Sequence, residues 1–166
     1  MDAKRALMCH FLAALAYRTQ KALRDAPESF GSFRAAPQVR TPHELVWHME
    51  NVLGYALTFL TGSERREPQL PDFRAQVLRF HQTLEELGRL LGSDGPLEGI
   101  SPEQLLQGPL ADAMTHAGQL AMLRRLAGAP VAPENFLEAE IQTENLGPEQ
   151  PLPAHPITNW PEAPRK

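Results

Sequence analysis

One cysteine, Cys9, among 166 residues leaves the chain unable to close an internal disulfide, which fits a reducing compartment. Long apolar runs are also missing. Nothing approaches the roughly 18–20 consecutive apolar residues that a bilayer span needs, so no membrane is expected as a partner. The N-terminus imitates an export signal, with Lys4-Arg5 ahead of the run Ala6 to Ala16 and an Ala14-Leu15-Ala16 triplet. His10 interrupts that run, and the helical pattern continues through Tyr17, Ala22 and Leu23. The expected location is therefore the cytoplasm. Basic blocks and aromatic-basic stripes are absent too, and the net charge is −4, which argues against nucleic acid as a partner. There is no internal repeat and no strand-like alternation of note.

What is present is helical periodicity. Residues 3–24 carry Leu7, Phe11, Ala14, Leu15, Arg18 and Ala22 at steps of three and four, the spacing of one buried face. A second helix over 41–61 has a clear start: Thr41 as N-cap, Pro42 at the first helical position and Glu44 completing a capping box. Its apolar face reads Leu45, Met49, Val52, Leu53, Ala56 and Leu60, with Gly62-Ser63 as the stop. A third helix over 71–91 places Phe73, Val77, Phe80, Leu84, Leu87 and Leu91 on one stripe. Ser101-Pro102-Glu103-Gln104 restarts a helix that Gly108-Pro109 can break, and the last long helix spans 109–127 up to Gly128. Residues 25–40 and 92–108 are long connections that suit crossovers. Beyond residue 129 prolines recur at 130, 133, 148, 151, 153, 156, 161 and 164. A short helix over Pro133 to Ile141 is expected there, with Phe136, Leu152, Ile157 and Trp160 packing part of the segment on the helices. The expected organisation is an all-α helical bundle over 1–128 and a Pro-rich C-terminal extension over 129–166 packed on it.

The chemistry candidates centre on Asp112 and His116. At i,i+4 in a helix the two side chains share a face, with Cβ atoms about 6 Å apart. That suits two ligands of one divalent metal, with His48 of the second helix as the third. Two histidines and a carboxylate leave a coordination position open, as in catalytic rather than structural sites. The bland alternatives stay open at this level: a helix-surface ion pair for Asp112 and His116, a core histidine for His48. Gln119, one turn beyond His116, reads equally as an orienting partner or as packing. Asn51 and Tyr55 read equally as pocket lining or as polar groups in a helix contact. Cys9 and His10 point about 100° apart and are not a thiolate–imidazole pair. His43 is expected to be neutral and exposed in the first turn of its helix, His81 to face solvent, and His155 lies between prolines in the extension.

The segments Glu44-Leu45-Val46-Trp47-His48-Met49 and Gly108 to Gly128 resemble the DinB/YfiT-like superfamily of four-helix bundles, over roughly residues 5–128. Those proteins carry a three-residue metal site, usually three histidines, the last followed by x-Gly-Gln. His48 matches the first, His116-Ala117-Gly118-Gln119 the third, and Asp112 stands where the middle histidine is usual. The resemblance implies a metal site of His48, Asp112 and His116 for zinc, nickel or a similar divalent ion. It also implies a thiol-dependent S-transferase or isomerase that uses glutathione, mycothiol or bacillithiol on a small electrophilic substrate. A hydrolase that activates water fits the same ligands. The competing expectation is a non-catalytic, stress-associated bundle with a vestigial metal site that acts as a binding or dimeric interaction protein. A vestigial site would turn Asp112 away or pair it with Arg124 or Arg40. A homodimer is expected from the resemblance and from the extra apolar residues Met8, Leu12 and Leu78.

Overall fold

In the computed structural model, which describes residues 2–93 and 95–161, the fold is all-helical. Four long helices carry it: α1 over Ala3–Leu23, α2 over Pro42–Thr61, α3 over Phe73–Gly92 and α5 over Ala111–Leu126. A short α4, Pro102–Leu105, runs into α5 through a π-type turn at Leu106–Leu110, and a 3-10 turn occupies Glu28–Ser32. No strand occurs among the described residues; one isolated bridge joins Glu134 to Pro156.

Helices α1 to α4 each begin where a side chain can take their unpaired amides, whereas α5 continues from the π-type turn without a side-chain cap. Asp2 accepts from the Lys4 and Arg5 amides, Asp72 accepts from Ala75, and Thr41 and Ser101 form capping boxes with Glu44 and Gln104. Gly62 ends α2 at φ 70°, a left-handed position that a Cβ would strain. Two buried arginines close carbonyl ends of neighbouring helices. Arg5 donates to the Leu91 and Ser93 carbonyls at 3.2 and 2.8 Å, and Arg124 to those of Ala22, Arg24 and Ala129.

Helix α1 packs on α3 and α5, and α2 packs on the same two. Their shared core is made of fully buried side chains such as Leu12, Leu15, Met49, Leu53, Phe80 and Leu84. The buried face of α1 holds Leu15 and Ala22 as expected and departs at its first turns, where Leu7 is 63% exposed and Met8 and Leu12 are buried. Helix α1 is apolar on most sides, so several registers read alike, and contact with α3 and α5 selects one. Met8 and Leu12 thereby cease to argue for a second copy; of the three residues cited, Leu78 alone remains exposed.

The C-terminal segment also departs from expectation. Pro133 to Ile141 is not helical. Asn135 forms a local turn instead, its carbonyl accepting from Glu138 N and its side chain accepting from Leu137 N, which competes with helix nucleation. Of the expected packing residues Leu152 and Ile157 are exposed while Phe136 and Trp160 are half-buried, and Leu146, not among them, docks in the core. Its methyl occupies the notch that a Cβ on Gly88 would fill, and its carbonyl accepts from His81 Nδ1 at 2.8 Å. His81, expected at the surface, is thus fully buried, because a segment 65 residues away covers it. Phe136 packs edge-on against Tyr17 at 6.3 Å, with the Arg18 guanidinium 3.8 Å over its ring. Residues 162–166, including Pro164 of the extension, lie outside the described residues.

Candidate metal centre

Helix α2 sorts its residues onto three faces. Leu45, Met49, Leu53 and Ala56 enter the core; Trp47, Glu50, Asn51 and Gly54 meet the following loop; His48, Val52 and Tyr55 line a cleft. Helix α5 packs against α2 and brings Asp112 and His116 to the same place. Pro109 cannot donate an amide and would clash with the carbonyl four residues back in a regular helix. The chain takes the wider π-type turn there, a deformation common beside functional sites, with Gly108 outside helical geometry at φ −89°, ψ −106°.

The three residues singled out in the sequence converge. One ligand atom from each of His48, Asp112 and His116 can be chosen such that all lie within 4.8 Å of one another. His48 Nε2 is 3.7 Å from Asp112 Oδ2, and His116 Nε2 is 3.3 Å from Asp112 Oδ1. The two imidazoles meet edge to face with centroids 4.8 Å apart. Ligands of one tetrahedral zinc, with bonds of about 2.1 Å, stand about 3.4 Å apart. The two contacts to Asp112 lie near that spacing, each to a different carboxylate oxygen, so closing on one ion would draw the three side chains slightly together. Asp112 faces the histidines; of the two arginines that a vestigial site would pair with it, Arg124 is committed to backbone carbonyls at the α1 end, and Arg40 forms no ion pair with it among the described residues.

The donor set fits a cation. His116 Nδ1 donates to Gln119 Oε1 at 2.9 Å, so the neutral ring carries its lone pair on Nε2. That Nε2 is buried and makes no hydrogen bond among the described residues, although a carboxylate oxygen lies 3.3 Å away. Two lone pairs at this separation repel unless a positive charge, a metal ion or a proton on the ring, lies between them. Of Gln119's two readings, the structure selects the orienting partner, a role that keeps a metal-ligating imidazole in one tautomer. Burial holds the His48 pKa below its ordinary value, with the Arg40 charge and His116 adding to the effect and Asp112 opposing it. A neutral His48 keeps its lone pair for a ligand. Side-chain exposure falls from 46% at Asp112 to 30% at His48 and 9% at His116, so the triad opens toward solvent on the Asp112 side.

That opening is a cleft of about 780 Å³. One wall is α2, with Asn51, Val52 and Tyr55; another is the π-type turn at Gln107–Pro109; a third is the loop after α2, with Glu64, Arg65 and Arg66. Which charges of this loop face the cleft depends on how the loop is tied down. The ties are strong. Glu67 exchanges hydrogen bonds with Asn51, and its carbonyl also accepts from Trp47 Nε1 at 2.8 Å. Gly54 admits the Arg65 carbonyl to within 2.9 Å of where a Cβ would stand. Beneath the loop, buried Glu50 pairs with Arg79 at 2.8 Å and accepts from Gln76; Arg79 then holds the Pro68 carbonyl and Gln76 the Leu70 amide. Asn51 therefore belongs to a helix–loop contact as well as to the cleft.

The remaining candidates stand apart from this centre. Cys9 is buried, and burial pushes its thiol pKa up, away from nucleophilic use. His43 is half-buried against Phe73, with ring centroids 5.6 Å apart, rather than exposed. Its aromatic neighbour lies at the start of α3, out of view of any local pattern. His155 is exposed. No family model matches the chain, nor does any curated protein or solved structure.

Proposed function

We propose that the chain is a four-helix bundle of the DinB/YfiT-like type that binds one divalent metal through His48, Asp112 and His116 and uses it in catalysis. The observation that carries this reading is the convergence itself: one ligand atom from each of the three side chains lies within 4.8 Å of the others, and the buried His116 is oriented by Gln119. A bound divalent ion supplies Lewis acidity there, enough to lower the pKa of a thiol or a water.

The chain's own residues divide the remaining work. Gln119 holds the His116 ring, and α2 supplies His48 from the opposite side. The Asp112 carboxylate offsets part of the ion's charge. Val52, Tyr55 and Pro109 give a small electrophilic substrate an apolar wall in the open cleft, while Asn51 fixes the loop that closes it. A thiol-dependent S-transferase or isomerase and a hydrolase both fit this layout, since either needs an open ligand position beside an apolar cleft. One feature favours the alternative of a vestigial site in a non-catalytic bundle: among the described residues no acceptor orients His48 as Gln119 orients His116.

The test is metal analysis of the chain purified without a histidine tag, followed by cobalt substitution. The expected result is one ion per chain and visible cobalt bands of low coordination number that vanish in His116→Gln. Sub-stoichiometric metal, together with imidazole signals of His48 and His116 that ignore added zinc, would overturn the reading.

A further inference from the structure

His116 has a second side. Behind it, away from the cleft, lies a groove of about 590 Å³ between the 35–40 segment and the outer face of α5. Its walls are chiefly apolar: Val39, Leu45, Met122, Leu123 and Leu126. Val39, Met122 and Leu126 are among the few large hydrophobic side chains left exposed, and here they cluster. Gln119 and His116 form part of the lining, so the groove touches the residue pair that orients the triad.

The charges of this groove are one-sided. Among the described residues Arg40 is its only full charge, no carboxylate lines it, and Arg40 forms no ion pair. The cleft on the other side is mixed: Glu64 lies beside Arg65 and Arg66, and Arg65 is already paired with Glu86. An unpaired guanidinium at the edge of an apolar trough is complementary to one kind of molecule, a monoanion with an apolar body. The volume falls within the range of small-molecule sites. A second copy of the chain fits less well, because a stable dimer needs about 800 Å² from each partner, and the exposed apolar side chains here are three around a recess.

We propose that this groove is a binding site for a small amphipathic carboxylate, with Arg40 taking the carboxylate and Val39, Met122, Leu123 and Leu126 covering the apolar chain. The proposal needs no bound metal, although His116 and Gln119 border both sites, and it is tested on metal-free protein so that the two readings can fail separately.

The probes are octanoate and its neutral analogue octanamide, titrated into the full chain in the presence of a chelator. Binding is read by calorimetry and by the Met122 methyl signal. Octanoate is expected to bind one to one and shift Met122, with octanamide weaker by about tenfold for the lost charge-assisted contact. Arg40→Gln should bring octanoate down to the octanamide level, and Met122→Glu should weaken both. Arg40 and Met122 are exposed, so neither change should unfold the chain, which a thermal melt checks. Equal affinity for the two probes, indifference to Arg40→Gln, or shifts spread equally to Leu137 and Leu152 would overturn the proposal. So would a dimer in sedimentation that Met122→Glu dissociates, since the groove would then be an interface between copies.

Discussion

Asp112→Ala isolates the metal site from the fold. The Asp112 side chain is 46% exposed and, among the described residues, forms ion pairs only with the two histidines, so removing it from the metal-free chain should change stability by less than about 0.5 kcal/mol. His116→Ala is a poorer choice. The imidazole is buried, so its loss leaves a cavity and costs about 1–3 kcal/mol whether or not metal binds. With zinc at 100 times its Kd, a native-state site stabilises the wild type by about 2.7 kcal/mol. For a chain of 166 residues that corresponds to a rise in Tm of about 5–11 °C. Scanning calorimetry of untagged protein, with and without zinc, reads both terms at once. The expected pattern is a zinc-dependent rise in the wild type, and in Asp112→Ala the same metal-free Tm with most of the rise gone. If Asp112→Ala keeps the full rise, zinc binds elsewhere and the triad reasoning is wrong. If the wild type shows no rise at saturating zinc, the convergence of the three side chains has no affinity behind it.

Three further outcomes follow from the packing. Burial holds the His81 pKa below 6.5, so the unfolded chain takes up the proton first, and stability present above pH 6.5 is lost as pH falls through the folded-state value; denaturation at several pH values should show this slope in the wild type and a shallower one in His81→Gln, where His48 still contributes. Leu146→Ala should cost about 2–3 kcal/mol in urea denaturation and let the His81 pKa rise toward its ordinary value, read by proton NMR; an unchanged His81 would mean that Leu146 does not cover it. Glu50→Ala leaves Arg79 without its buried partner and should destabilise by about 3 kcal/mol, with faster amide exchange at Leu70 and Glu67; exchange confined to α3 would refute the role given to Glu50 in holding the loop.

The helices were legible in the sequence because their signals are local. Thr41-Pro42-His43-Glu44 carries a cap, a first-turn proline and a box within four residues, and α3 repeats its apolar stripe every turn; neither needs a distant partner. The Asp112–His116 pair is local in the same sense, since helical geometry alone puts i and i+4 on one face. Tertiary structure decided everything that joins separated segments. The approach of α2 to α5 brought His48 within a ring's width of His116. Leu146 took His81 out of water from 65 positions away. The packing of α1 chose Met8 over Leu7, and the ties at Asn51, Gly54 and Glu50 chose which loop charges face the cleft. Local periodicity states that a face is apolar or that two groups share a side. Which partner covers that face is set by the summed burial of chain segments that no short window contains.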